Sequence, residues 1–113
     1  MTPPSSHPST PDCLFCLSIP PALEEEVLDA LMALPELAPG FTVVQGHGMG
    51  AHIELASALE RVQGRARRAL VQIALPQSQV PRLLDQLRAT LRDANLVYWV
   101  VPLLAFGRLG DTA

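Results

Sequence analysis

The chain has 113 residues, of which 49% are hydrophobic, 17% charged and 4% aromatic, and its mean hydropathy is +0.25. This length fits one globular domain with a thin core and is too short for two domains. The apolar content exceeds what such a core can hold, which predicts that apolar surface is buried between subunits.

Neither a membrane span nor a secretory signal is expected. The longest apolar stretch, residues 96–106, is interrupted by Pro102 and is shorter than the roughly 18–20 residues of a membrane helix. The Pro- and Ser-rich start has no basic region and no long apolar region of the kind that signals carry. We expect a cytoplasmic protein without membrane insertion, with residues 1–12 as a disordered tail and 109–113 as a second tail.

Charge is segregated along the chain, whose formal net charge is -3. Residues 1–60 hold eight acidic residues and no Arg or Lys, whereas residues 61–113 hold all eight Arg and three acidic residues. A nucleic-acid surface would need a net basic face, so complementary pairing within or between subunits explains this division better. We therefore expect no nucleic-acid partner.

The apolar pattern of the first half predicts a strand, a helix and a second strand. Residues 13–19 are almost continuously apolar, which is typical of a buried strand. Pro21 suits the first turn of a helix, and the glutamates after it meet the positive end of the helix dipole. The buried stripe of this helix consists of Leu23, Val27, Leu31 and Leu34. Residues 41–46 are rich in β-formers and predict the second strand.

The second half repeats this order after a long loop at residues 47–66. Residues 67–75 alternate as a strand does, with one apolar face formed by Ala69, Val71, Ile73 and Leu75. Ser78 is the expected N-cap of a second helix, which Asn95 closes. The stripe of that helix consists of Val80, Leu83, Leu84, Leu87 and Leu91. Residues 96–101 then predict a fourth strand that is apolar on both faces.

Two βαβ halves in this order predict an α+β, ferredoxin-like βαββαβ plait, with a four-stranded antiparallel sheet and two helices on one face. The other face, here called the helix-free face, carries Leu70, Ala74 and alternate residues of 96–101. At about 25 cal/mol per Å², leaving these side chains in water forfeits a few kcal/mol of stability. Burial of this face between protomers is therefore expected.

Several short motifs accompany the element order. They are Gly46-His47-Gly48, then Glu60-Arg61-Val62-Gln63-Gly64-Arg65 followed by Arg67-Arg68, then Tyr98-Trp99-Val100 with Pro102, and finally Gly107-Arg108. Over residues 14–108, this combination resembles the PII-like (GlnB-like) members of the nitrogen regulatory protein PII superfamily. It is most similar to a small uncharacterised branch that is encoded beside heavy-metal efflux pumps of the resistance-nodulation-division type.

The resemblance implies a homotrimer whose T-loop-like segment, residues 47–66, contacts a membrane efflux transporter. It also implies a signalling domain over residues 13–108, with ligand clefts between subunits at the base of that segment. Nucleotide-binding PII proteins carry a Gly-rich, Lys-containing turn before the last strand. This chain has only Arg92-Asp93-Ala94-Asn95 there, which argues against the usual mode of ATP binding.

Candidate ligand residues gather at both ends of the loop. Because the second and third strands are expected to be adjacent and antiparallel, Gly46 and Arg67 should lie at the same end of the sheet. Guanidinium groups bind phosphate or carboxylate, and successive glycines can form an anion nest. The predicted anion or nucleotide site contains Gly46, Gly48, Arg65, Arg67 and Arg68 and, as the resemblance implies, Gly64 and Arg108. The plainer alternatives are a glycine hinge and a solvated arginine face paired with an acidic helix of a neighbour.

A second group of residues suits a transition metal. His47, Met49 and His52 offer soft and borderline ligands for copper, zinc, silver or nickel. A histidine pair without carboxylate or thiolate partners is an incomplete zinc set. A metal-binding chaperone or sequestering protein is the competing hypothesis to a ligand-sensing regulator, and a purely structural trimer that caps a partner is a third.

The remaining reactive residues predict no catalysis. On an extended strand, Cys13 and Cys16 point to opposite faces about 10 Å apart, too far for a disulfide, so both are expected to be buried structural thiols unless the strand begins only after Cys16. Ser57 has no general base at a recognisable spacing. Tyr98 and Trp99 are expected in the core and the subunit interface. We therefore expect no catalytic residues and no enzyme activity.

Overall fold

The computed structural model describes residues 10–49, 66–92 and 94–111. Its elements are β1 (Cys13–Ile19), α1 (Pro21–Met32), β2 (Thr42–Gly48), β3 (Ala66–Leu75), a 3-10 turn (Gln77–Gln79), α2 (Val80–Thr90) and β4 (Val97–Pro102). The predicted order of strands and helices is confirmed. Most of the predicted tail before β1 and most of the predicted loop lie outside the described residues.

The four strands form one sheet in the order β2-β3-β1-β4, and each neighbouring pair is antiparallel. Consequently β1 and β2 run parallel with β3 between them. Cys13 pairs with Leu75, and at the other end of β3 Gly48 pairs with Ala66. The predicted ferredoxin-like plait is confirmed.

One face of the sheet packs against both helices and forms the core. The largest fully buried side chains of the sheet are Phe15, Ile19, Val71, Ile73 and Leu75. Val27 and Leu31 of α1 and Leu83 and Leu87 of α2 pack against them, as the predicted stripes require. Leu37, which follows α1, is 2% exposed and completes this core.

The helix-free face carries the alternate residues of all four strands. These are Leu14, Cys16 and Ser18 of β1, Thr42, Val44 and Gly46 of β2, Arg68, Leu70, Gln72 and Ala74 of β3, and Val97, Trp99 and Val101 of β4. Several of its large apolar side chains are exposed to solvent within one protomer: Val97 is 56% exposed, Trp99 43% and Val101 39%. The predicted apolar surface is therefore present.

The second strand is longer than the sequence predicted. It continues through Gly48, because His47 pairs with Arg67 and Gly48 pairs with Ala66. The prediction that the loop begins at His47 is therefore wrong by two residues, and the segment between β2 and β3 begins at Met49.

Both predicted ends of α2 are wrong. Ser78 lies inside the 3-10 turn and caps nothing, since α2 begins at Val80. The helix ends at Thr90 rather than at Asn95, because Leu91 leaves the helical region with φ -111° and ψ 59°.

Asp12 supplies a link that short-range patterns could not show. Its Oδ1 accepts a hydrogen bond of 2.7 Å from the backbone N–H of Gln77, 65 residues away. Its own N–H donates to the Leu75 carbonyl at 3.3 Å, and its carbonyl accepts from the Leu103 N–H at 3.0 Å. Asp12, which the sequence placed in the tail, thus belongs to the folded domain.

A pair of neighbouring α1 residues tests the core. Leu31 is fully buried, whereas Met32 is 71% exposed. Leu31→Ala should lower the free energy of unfolding by about 3 kcal/mol through lost burial and a residual cavity. Met32→Ala should change it by less than about 0.5 kcal/mol. Urea denaturation measures both, and equal losses would contradict this placement of α1.

Candidate functional site

A trough of about 340 Å³ lies on the helix-free face where β2 and β3 approach their connecting segment. We call it the Arg68 trough. Its walls are Ser18, Val44, Gly46, His47, Gly48, Arg68, Leu70, Val97 and Trp99. Aliphatic and aromatic side chains surround a single guanidinium here, a combination suited to a ligand with an apolar body and an anionic group.

The side chain of Arg68, on β3, is held in place by the neighbouring strand β1. Its side chain is half-buried, and its Nε donates a hydrogen bond of 3.1 Å to the Ser18 Oγ. A guanidinium carries five N–H donors, so the bond to Ser18 leaves the terminal nitrogens for other acceptors. Ser18 therefore fixes the orientation of a cation that can still bind an anion.

Gly46 lies directly opposite Arg68 in the sheet. A Cβ built on Gly46 would meet no atom within 4 Å, so packing within the protomer does not require glycine there. Glycine weakens a strand interior and often marks a place where a ligand or another backbone approaches closely. The missing side chain keeps the Arg68 trough open.

The predicted meeting of the two loop ends is confirmed, with one correction. Gly46 and Gly48 both lie in the β2 ladder, so the predicted anion nest is not formed at these two residues. Arg67 pairs with His47 on the helix-bearing face and is exposed, whereas Arg68 lines the trough. Gly64 and Arg65 lie outside the described residues.

Arg108 lines a second trough, of about 540 Å³, at the opposite end of the helix-free face. We call it the Arg108 trough. Its other walls are Pro11, Leu14, Pro39, Gly40, Phe41, Thr42, Gln72, Ala74 and Phe106. Thr42 and Gly46 are four residues apart along β2, or about 13 Å. Arg108 and Arg68 therefore do not share a trough in one protomer.

Sequence reasoning missed Ser18, Val44 and Phe106 as parts of these troughs. Only Ser18 gave a signal, as the single polar side chain within the apolar β1 sequence. Its role depends on a partner 50 residues away, which a single sequence does not reveal.

The predicted metal ligands are described only in part. His47 and Met49 lie at and just beyond the end of β2, both exposed, and His52 is outside the described residues. Within residues 10–49, 66–92 and 94–111, no three His, Cys, Asp or Glu side chains are grouped so that they could hold a metal ion.

The two cysteines are free and buried, as predicted. Cys13 is on the core face and Cys16 on the helix-free face, with Gln72 and Trp99 beside Cys16 in the sheet. Burial raises the pKa of both thiols, and the Asp12 carboxylate raises that of Cys13 further. At neutral pH both are therefore protonated and poor nucleophiles or metal ligands.

Solved structures define the class of the fold. CPII, a nitrogen regulatory PII-like protein from Thiomonas intermedia K12 bound to ADP, AMP and bicarbonate, aligns with a TM-score of 0.62 and 19% identity over 89% of this chain and 99% of that chain. A protein from Thermus thermophilus described as PII-like signalling aligns with a TM-score of 0.55 and 16% identity over 84% of this chain and 88% of that chain. This chain has a PII-like fold.

The family follows from the sequence match. Residues 9–110 match the model of DUF3240, a family described as proteins of unknown function, so the chain belongs to the DUF3240 family. A DUF3240 family protein from Shewanella baltica OS155 aligns with a TM-score of 0.70 and 21% identity over 88% of this chain and 98% of that chain. A search of curated proteins found no match. The two α-helices among the described residues, with 12 and 11 residues, are too short to span a bilayer.

The buried thiols predict a stability that falls with rising pH. Their pKa values are higher in the folded than in the unfolded chain, so their stabilising effect is complete below about pH 8.5 and is lost as the pH rises toward the folded values. Urea denaturation between about pH 8 and pH 10 should show this slope. Replacing both residues by alanine should make the slope shallower, and an unchanged slope would contradict the assignment.

Proposed function

We propose that this protein is a PII-like signalling protein. It forms a homotrimer, binds an anionic ligand in clefts between protomers, and acts on a membrane efflux transporter through the segment at residues 47–66. The observation that carries the proposal is Gly46 opposite the anchored Arg68, on a sheet face that is apolar and uncovered in one protomer. The role is binding and signalling, with no catalysed reaction.

Self-association follows from the need to cover the apolar side chains of the helix-free face. Val97, Trp99 and Val101 stand on the edge strand β4, and an exposed apolar edge strand is an aggregation hazard unless it is covered. Contact with further copies removes these side chains from water, and ring closure at three copies limits the assembly.

Assembly also accounts for the two separate troughs. Arg68 and Arg108 lie at opposite ends of the same face, so neighbouring copies packed through this face can bring the Arg108 trough of one against the Arg68 trough of the next. A cleft completed in this way surrounds an anion with two arginines from different subunits. Each site then requires the oligomer.

An adenine nucleotide is the favoured ligand. Trp99 offers a partly exposed aromatic ring and Arg68 a guanidinium in one trough, which suit a base and a phosphate respectively. CPII, which has the same fold, is bound to ADP, AMP and bicarbonate. The turn before β4 contains no lysine, which favours ADP or AMP over ATP.

The signalling step uses the segment that follows β2 and leads away from the Arg68 trough. Gly48 lines the Arg68 trough and Met49 follows it directly. A ligand that fixes the end of β2 therefore restricts the start of the 47–66 segment and shifts its conformational equilibrium. The resemblance to efflux-linked PII-like proteins supports a heavy-metal transporter as the partner.

The mass of the oligomer in solution can be measured directly. In sedimentation equilibrium at micromolar concentration, the protein should have three times the protomer mass of 12.2 kDa. Trp99→Glu with Val101→Glu should release protomers, because it places two charges in the interface. Met32→Glu, which changes an exposed apolar residue on α1, is the control and should remain trimeric. A wild-type protein of protomer mass would overturn the proposed assembly.

The shared cleft can be tested by complementation. Arg68→Gln and Arg108→Gln should each weaken ADP or AMP binding about tenfold in calorimetry, since each removes one charge-assisted hydrogen-bonding group. Trimers co-expressed from the two variants should regain clefts of wild-type affinity, because an intact arginine comes from each copy. ADP should also slow amide exchange at residues 49–65.

Controls separate this proposal from the metal-binding alternative. Arg82→Gln changes an exposed arginine of α2 outside both troughs and should leave binding unchanged. The absence of regained affinity in mixed trimers would show that the cleft is not shared. Saturable binding of Cu(I), Zn or Ni that is lost in His47→Ala, without any response to nucleotide or bicarbonate, would replace the proposal with metal sequestration.

A further inference from the structure

A hollow of about 270 Å³ lies on the other side of the sheet, between the C-terminal half of α2 and the start of β4. It lies beside the edge strand β4, whose Tyr98 stays 41% exposed on the helix-bearing face. The apolar walls are Leu17, Leu84, Leu87, Leu91, Leu96 and Tyr98. Tyr98 is fixed by stacking on Phe15, with ring centroids 5.5 Å apart.

The polar part of the hollow has one sign of charge. Arg88 and Arg92 line it together with the neutral Asn95, and none of its described lining residues is acidic. Arg88 has an ion pair with Asp85 at 3.8 Å, but both side chains are more than two-thirds exposed, so solvent screens this pair. Among the described residues, Arg92 has no ion pair or hydrogen-bond partner. Two cations thus stand beside an apolar cavity.

We propose that this hollow binds a small anionic amphiphile. The apolar body would lie on the leucines and the Tyr98 ring, and the anionic head would contact Arg88 and Arg92. Apolar walls with a few convergent polar groups are typical of small-molecule sites, and guanidinium groups select an anionic head. The hollow is on the face opposite both troughs, so this site is independent of the function proposed above.

Matched probes separate the contribution of the apolar walls to binding from that of the two arginines. Octanoate has both the chain and the charge, octanol has only the chain, and acetate has only the charge. Titration into the full-length protein, followed by NMR, should show saturable octanoate shifts at Leu84, Leu91 and Tyr98. Octanol and acetate should bind at least about tenfold more weakly. Equal binding of octanol would show that the arginines have no part in recognition and would overturn the site.

Variants of the arginines complete the test. Arg88→Gln combined with Arg92→Gln should weaken octanoate binding about tenfold and leave octanol binding unchanged. Arg82→Gln, on the same helix but outside the hollow, should have no effect. Ala94→Phe, which fills the hollow, should abolish binding. Octanoate shifts centred on Trp99, no saturable shifts at all, or signals of the hollow that change only on dilution, as for contact with a second copy, would overturn the proposal.

Discussion

The structure depends on one constraint: both helices pack on the same face of a four-stranded sheet. That packing buries Phe15, Ile73 and Leu31 completely and leaves apolar side chains of the other face, such as Trp99, exposed in the protomer. The troughs lie on the face that has no helices, and the hollow lies at the edge of the face that has them, where Tyr98 of β4 stays 41% exposed.

On the helix-free face, the proposed function depends on a polar pair within an apolar surface. The Ser18 hydroxyl orients Arg68 across the β1–β3 ladder, and Gly46 leaves room in front of it. A desolvated guanidinium is costly unless it meets an anion. If neighbouring copies close this face as proposed, a bound anion helps to stabilise the assembly, and ligand binding and assembly are linked equilibria.

The fold was predictable because its signals are local and periodic. The alternation of Ala69, Val71 and Ile73 identified β3, and the spacing of Val27 and Leu31 identified α1. The site was predictable only where strand pairing follows from topology, as for Gly46 opposite the arginines. The limits of α2 and the position of Arg108 were not, because they depend on contacts between distant segments, and the extension of β2 through Gly48 depends on pairing with Ala66 rather than on residue type.

Asp12 connects three parts of the chain, since its carboxylate, N–H and carbonyl bind Gln77, Leu75 and Leu103 respectively. It therefore joins three points of the chain: the entry into β1, the turn that leads into α2 and the exit from β4. Asp12, which lies near the N-terminus, thus helps to fix the course of the C-terminal segment that carries Arg108. Trimming or fusing the chain too close to this aspartate would disturb the Arg108 trough without changing any residue that lines the Arg68 trough.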